Sequence, residues 1–125
     1  MKRIISLLLV VVLACAFVGC SNRSKYSEEA ISAAEATIMY SEQYFDGIIS
    51  LEETGENIDV VVKNLLEYLE LNETKAKLTY QNDNALYTKI SDVLALYIQE
   101  YFYDGGQIAN IKESVENLKE EIGYK

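Results

Sequence analysis

The chain has 125 residues, a formal net charge of −9, 50% hydrophobic residues and 25% charged residues. That balance supports a packed domain rather than bulk disorder, and the length fits one domain. There is no His, Pro or Trp, and the two Cys are Cys15 and Cys20. A Ser-His-Asp triad, a Cys-His dyad, a His or Cys zinc site and a His-ligated haem therefore all lack their atoms.

The N-terminus reads as an address. Met1-Lys2-Arg3 is basic, Ile4 through Val18 carries no charge, and Gly19-Cys20 precedes the polar run Ser21-Asn22-Arg23-Ser24. A basic start, a short apolar run and a small residue before a cut form a secretory signal. A membrane-spanning helix needs about 20 apolar residues, more than this run supplies. The residues Phe17-Val18-Gly19-Cys20 resemble the lipobox of bacterial lipoproteins, with Phe17 where an aliphatic residue is usual. The resemblance implies that residues 1–19 are a signal peptide. It also implies that Cys20 takes a diacylglyceryl group and becomes the first mature residue. Val12-Leu13-Ala14-Cys15 fits less well, because apolar residues follow Cys15. The implied location is the cell membrane, lipid-anchored, on the extracytoplasmic face. Two acyl chains give stable attachment where one does not.

Residues 20–26 then form the lipidated Cys and a short tether, and residues 27–125 form the domain. Six residues, Ser21 to Tyr26, reach at most about 20 Å. With Cys20 lipidated, no disulfide remains for the domain, which must be stable through its core. Residues 20–125 hold nine basic and twenty acidic residues, a net charge of −11. Such a surface repels nucleic-acid phosphates and favours a basic protein or peptide partner. The plainer reading of the acidity is solubility.

The domain reads as all-α, with four segments of period near 3.6 and no sustained alternation. The first spans about Ser27 to Glu53, with Ser27 as N-cap and Glu28 and Glu29 in the first turn. Its stripe is Ile31, Ala34, Ile38, Ser41, Phe45 and Ile48. It is expected to continue through Gly47, because Ile48, Ile49 and Leu51 are apolar for a solvated loop. Thr54-Gly55-Glu56 is the expected break. Asn57 then caps a second helix with Ile58, Val62, Leu65 and Leu69 on one face, and more weakly Ala76 and Tyr80. Gln81-Asn82-Asp83 reads as the next turn, with Asp83 or Asn84 as cap.

The third helix carries Leu86, Ile90, Val93, Leu94, Tyr97 and Tyr101, and Asp104-Gly105-Gly106 stops it. The fourth carries Ile108, Ile111, Val115, Leu118 and Ile122, an alternating 3,4 spacing like a coiled-coil seam. Gly123 is its expected C′ residue. Short connections make sequential neighbours antiparallel, so the fold class is an up-down four-helix bundle. A three-helix bundle with the fourth segment docked loosely is the alternative. Tyr40 to Gly47 also resembles Tyr97 to Gly105, each with Tyr, three residues, Tyr-Phe and then Asp-Gly. Val62-Lys63-Asn64-Leu65 parallels Val115-Glu116-Asn117-Leu118. The bundle could thus be a duplicated helical hairpin, or the match could be chance between amphipathic helices.

All ten Tyr lie in the mature region. Tyrosine has an apolar body and a polar tip, which suits contact surfaces as well as outer core layers. Tyr101, Phe102 and Tyr103 precede a Gly pair, and successive helical residues point about 100° apart. They cannot all face one core, so they form the candidate partner contact, with Phe102 or Tyr103 expected to point outward and Tyr101 to continue the stripe from Tyr97. The carboxylate pairs Glu67/Glu70, Glu70/Glu73 and Glu113/Glu116 read as solvated faces. Without His they lack the Glu-x-x-His signature of di-iron bundles, so no metal or cofactor is expected. Asn82-Asp83-Asn84 lacks the remaining ligands of a calcium loop.

The expected function is non-catalytic binding or shielding at the cell envelope, of an immunity or exclusion type. An accessory structural subunit of an envelope complex is the alternative. A hydrolase or carbohydrate-binding lipoprotein is a poorer fit, because a small bundle without Trp or His is an unpromising host for a catalytic cleft.

Overall fold

The computed structural model describes residues 23–72, 79–103 and 105–124. The signal peptide, Cys15 and Cys20 lie outside the described residues. Four helices follow in order: α1 (Glu28–Phe45), α2 (Leu51–Asn72), α3 (Tyr80–Tyr103) and α4 (Ile108–Ile122). They form a four-helix bundle. Each helix packs on its neighbours in sequence, α4 closes on α1, and α1 and α3 also touch across the middle. Tyr101 near the end of α3 meets Glu52 at the start of α2, and Lys112 near the start of α4 lies over Phe45 at the end of α1. These pairings run neighbouring helices in opposite directions. Among the described residues no helix is long and apolar enough to cross a membrane.

The core follows the expected stripes. Ile31, Ala34, Ile38 and Ser41 are buried on α1, Ile58, Val62, Leu65 and Leu69 on α2, Leu86, Ile90, Val93, Leu94 and Tyr97 on α3, and Ile111, Val115, Leu118 and Ile122 on α4. α4 therefore belongs to the core rather than docking loosely. Its end is also as expected. Gly123 adopts φ +65°, and Tyr124 N–H donates to the Lys119 carbonyl at 2.8 Å, the long bond of a Schellman turn.

The boundary between α1 and α2 differs from the sequence expectation. The helix does not run through Gly47 to Glu53. It ends at Phe45, Gly47 takes φ +76°, and Ile48 N–H closes back on the Gln43 carbonyl at 2.8 Å. This is the same Schellman geometry, which only glycine adopts without strain. Ile48 is left 68% exposed despite its apolarity. Ser50 then starts α2, its Oγ accepting from Glu53 N–H at 3.0 Å. Ser50-Leu51-Glu52-Glu53 is thus a helix-start pattern of the Ser-x-x-Glu type. The expected break at Thr54-Gly55-Glu56 and the expected cap Asn57 lie inside α2. Thr54 is buried, its hydroxyl donating to the Ser50 carbonyl at 2.7 Å.

The third helix also starts earlier than expected. Gln81, Asn82 and Asp83 are not a turn but the first turn of α3. Asp83 is buried because its carboxylate serves a different helix, accepting the Ser27 N–H at 2.9 Å. Ser27 in turn caps α1, its Oγ accepting from Ala30 N–H at 3.2 Å. Tyr80 therefore opens α3 instead of extending α2's stripe, and Ala76 lies outside the described residues. The two similar segments fall at the ends of α1 and α3. In the second matched pair, Val62 and Val115 are both buried, as are Leu65 and Leu118.

Candidate functional site

Of the residues expected to form the short tether, Arg23, Lys25 and Tyr26 are held against the bundle. Arg23 pairs with Glu35 at 2.8 Å. Tyr26 is buried and its hydroxyl donates to Glu121 on α4. Asn82 donates to the Lys25 carbonyl at 3.1 Å, and Lys25 and Lys89 approach the same Glu121 carboxylate at 3.9 and 3.8 Å. Burial, reinforced by the Glu121 hydrogen bond and charge, pushes the Tyr26 phenol well above its ordinary range. The chain thus approaches the bundle at the end where α1 and α3 start and α2 and α4 finish.

The opposite end carries the aromatics. Tyr97 is the last enclosed ring on α3, edge-on to Tyr44 of α1 with centroids 5.7 Å apart. Burial pushes its phenol up to about 12, against an opposing contribution from the neighbouring Ser41 hydroxyl. Neither that phenol nor Ser41 Oγ closes a hydrogen bond of normal geometry. One turn further, the enclosure stops. Tyr101 is 50% exposed, Phe102 69% and Tyr103 80%. Tyr101 therefore leaves the stripe that Tyr97 was expected to hand on, because α1 has already ended at Phe45. Its ring packs edge-on against Phe102 at 5.1 Å and its hydroxyl reaches toward Glu52 at 3.5 Å. The turn into α4 is fixed from below, Gln107 N–H donating to Glu100 at 2.9 Å.

A groove that no single segment announces runs from this end between α2 and α3. It encloses about 280 Å³, with Leu51, Gly55, Leu94, Ile98 and Phe102 among its walls and Glu52, Glu56 and Asp59 along the α2 side. Asp59 is engaged by Lys63 at 2.9 Å, whereas Glu52 and Glu56 meet no cation among the described residues. The cleft between α1 and α4 is larger, about 480 Å³, and two of its three acids share one lysine. There Lys119 bridges Glu42 at 2.7 Å and Glu116 at 3.1 Å, and Lys112 sits 5.5 Å from the Phe45 ring centroid. The Glu42 hydrogen bond raises the Lys119 ammonium above its ordinary value.

Sequence patterning missed the groove because its walls are about 40 residues apart in the chain. The one local signal was Gly55, which costs a helix interior about 0.5–1 kcal/mol relative to Ala. The carboxylate pairs stay on the surface, with Glu67, Glu70, Glu113 and Glu116 exposed and Glu73 outside the described residues. Among the described residues no group of three or more acidic or Cys side chains is placed to hold a metal ion. No protein-family model, curated protein or solved structure matches this chain.

Proposed function

We propose that the chain is a bacterial lipoprotein, anchored by lipid on Cys20 at the extracytoplasmic face of the cell membrane, that binds or shields without catalysis. Its role is of the immunity or exclusion type, with a basic protein or peptide as partner. The observation that carries this reading is the run Tyr101-Phe102-Tyr103. It stands exposed at the end of the bundle remote from the chain's N-terminal approach. Arg23 is held on the bundle three residues after Cys20, which leaves about 10 Å of leash. An anchor there would set one end close to the bilayer. The 24-residue α3 would carry the aromatic tip about 36 Å outward. Exposed aromatics cost little entropy to order on binding and recur among binding hot spots.

Mass spectrometry of the mature N-terminus tests the anchor. A diacylglyceryl Cys20 is expected, and Cys20→Ala should abolish it while Cys15→Ala does not. An unmodified N-terminus elsewhere would remove the anchor. Recovery of a basic partner from membranes tests the tip. Tyr103→Ala should lose that partner without changing the melting temperature, and unchanged recovery returns the tip to plain surface.

A further inference from the structure

Gly55 lies inside α2, where glycine is a destabilising choice, yet nothing among the described residues calls for it. Its φ is not left-handed, and a Cβ built there meets no heavy atom within 4 Å. The missing side chain leaves open space on the wall of the α2/α3 groove. Glycine at such a place lets an incoming backbone approach closely.

The surroundings state what kind of backbone. Leu94, Ile98 and Phe102 give the groove an apolar wall on α3. Glu52 and Glu56 follow at helical spacing on the rim, without a cation among the described residues. A second copy of this chain is a poor occupant, since it brings the same acidic rim. At about 280 Å³ the groove is below the usual range for whole small-molecule ligands and suits one or two side chains. From Leu51 to Asp59 it runs about 12 Å, the length of two helical turns.

We propose that the α2/α3 groove seats about two turns of a cationic amphipathic helix, its backbone over Gly55, its apolar residues in the groove and its lysines or arginines on Glu52 and Glu56. This rests on the binding role proposed above and gives the partner a chemical class.

The test uses the full chain in neutral lipid nanodiscs, with protein-free discs as blank. Two fluorescein-labelled amphipathic helical peptides share one apolar leucine face, with lysines on the polar face of one and glutamates on the other. Anisotropy should show saturable binding of the lysine peptide alone, weakened by salt. Gly55→Leu, which fills open space, should raise Kd at least about ten-fold with no fall in melting temperature, and so should the pair Glu52→Gln and Glu56→Gln. Wild-type binding by Gly55→Leu overturns the proposal, as does equal binding of the glutamate peptide or no saturable binding of the lysine peptide. Tyr103 lies outside the groove. Loss of the peptide in Tyr103→Ala alone overturns the groove and leaves the tip reading standing. That reading fails separately, on partner recovery.

Discussion

Tyr26 and Tyr103 are the same residue type at opposite ends of one bundle, the first buried with its hydroxyl on Glu121, the second 80% exposed. Around Tyr26 the chain ties itself down. Asp83 reaches from α3 to the cap of α1, Asn82 takes the Lys25 carbonyl, and Glu121 gathers Tyr26, Lys25 and Lys89. Around Tyr103 three aromatics escape the core, and of the acids on the adjoining groove Glu52 and Glu56 meet no cation among the described residues. One end spends its polar and aromatic groups on the fold itself. The other leaves them outward, where removing them should cost the fold little. The groups that hold the fold and the groups left exposed are thus separable along the bundle axis, which can be tested residue by residue.

The largest effect is expected in the shared core. Leu118 and Ile111 are enclosed on α4, and truncating either to Ala removes buried methyl groups and leaves a cavity, at about 2–4 kcal/mol. Denaturant melts of the two variants against Phe102→Ala measure the contrast. Equal losses would dissolve the distinction between core and tip. Next comes Asp83→Ala. It leaves the Ser27 N–H, the backbone of the α1 cap residue, without its acceptor in a partly buried site, at about 1 kcal/mol. Asp83→Asn keeps an acceptor oxygen and should recover part of that loss. A neutral Asp83→Ala would mean that the docked end is not held as described.

The third effect appears only in alkali. The Tyr97 phenol is pushed up to about 12 by burial, and the Tyr26 phenol is raised by burial and Glu121. Both hold their protons in the folded state after the unfolded chain has lost them near the ordinary value of 10. Stability from these groups is therefore full below pH 10 and falls as pH rises from 10 toward 12. Melting followed across that window should show the fall, and Tyr97→Phe and Tyr26→Phe should each flatten it. The two variants differ at neutral pH. Tyr26→Phe gives up a hydrogen bond, whereas Tyr97→Phe deletes a buried hydroxyl with no partner of good geometry.

What was legible in the sequence divides along similar lines. α4 could be read to its last residue, because its 3,4 stripe and Gly123 act within one helix. The end of α1 could not, because the apolar weight of Ile48 and Ile49 argued against the local chemistry of Asp46-Gly47 and Ser50-x-x-Glu53. The local chemistry prevailed, since a left-handed glycine followed by a cap satisfies backbone groups that an exposed Ile48 cannot. Asp83 misled for the opposite reason. Its composition suggests a turn, and its partner is the Ser27 N–H, 56 residues away. Helical geometry required at least one of the three aromatics to face outward and favoured Phe102 or Tyr103, whereas all three are exposed. The groove beside them depends on which helices become neighbours, and no window of the sequence contains that.

The smallest expected effect bears most directly on the aromatic tip. Tyr103 is the most exposed large aromatic described, and it lies after the last layer of core on α3. Tyr103→Ala should therefore change stability by under about 0.5 kcal/mol, as surface substitutions away from packed features do. Glu67→Ala, on the solvent face of α2, is the matched control with the same expected range. If the two variants melt together, any difference in partner recovery reports contact at the tip and not damage to the fold. If Tyr103→Ala melts well below the control, the ring is packed against the bundle and the tip belongs with the tied end rather than opposite it.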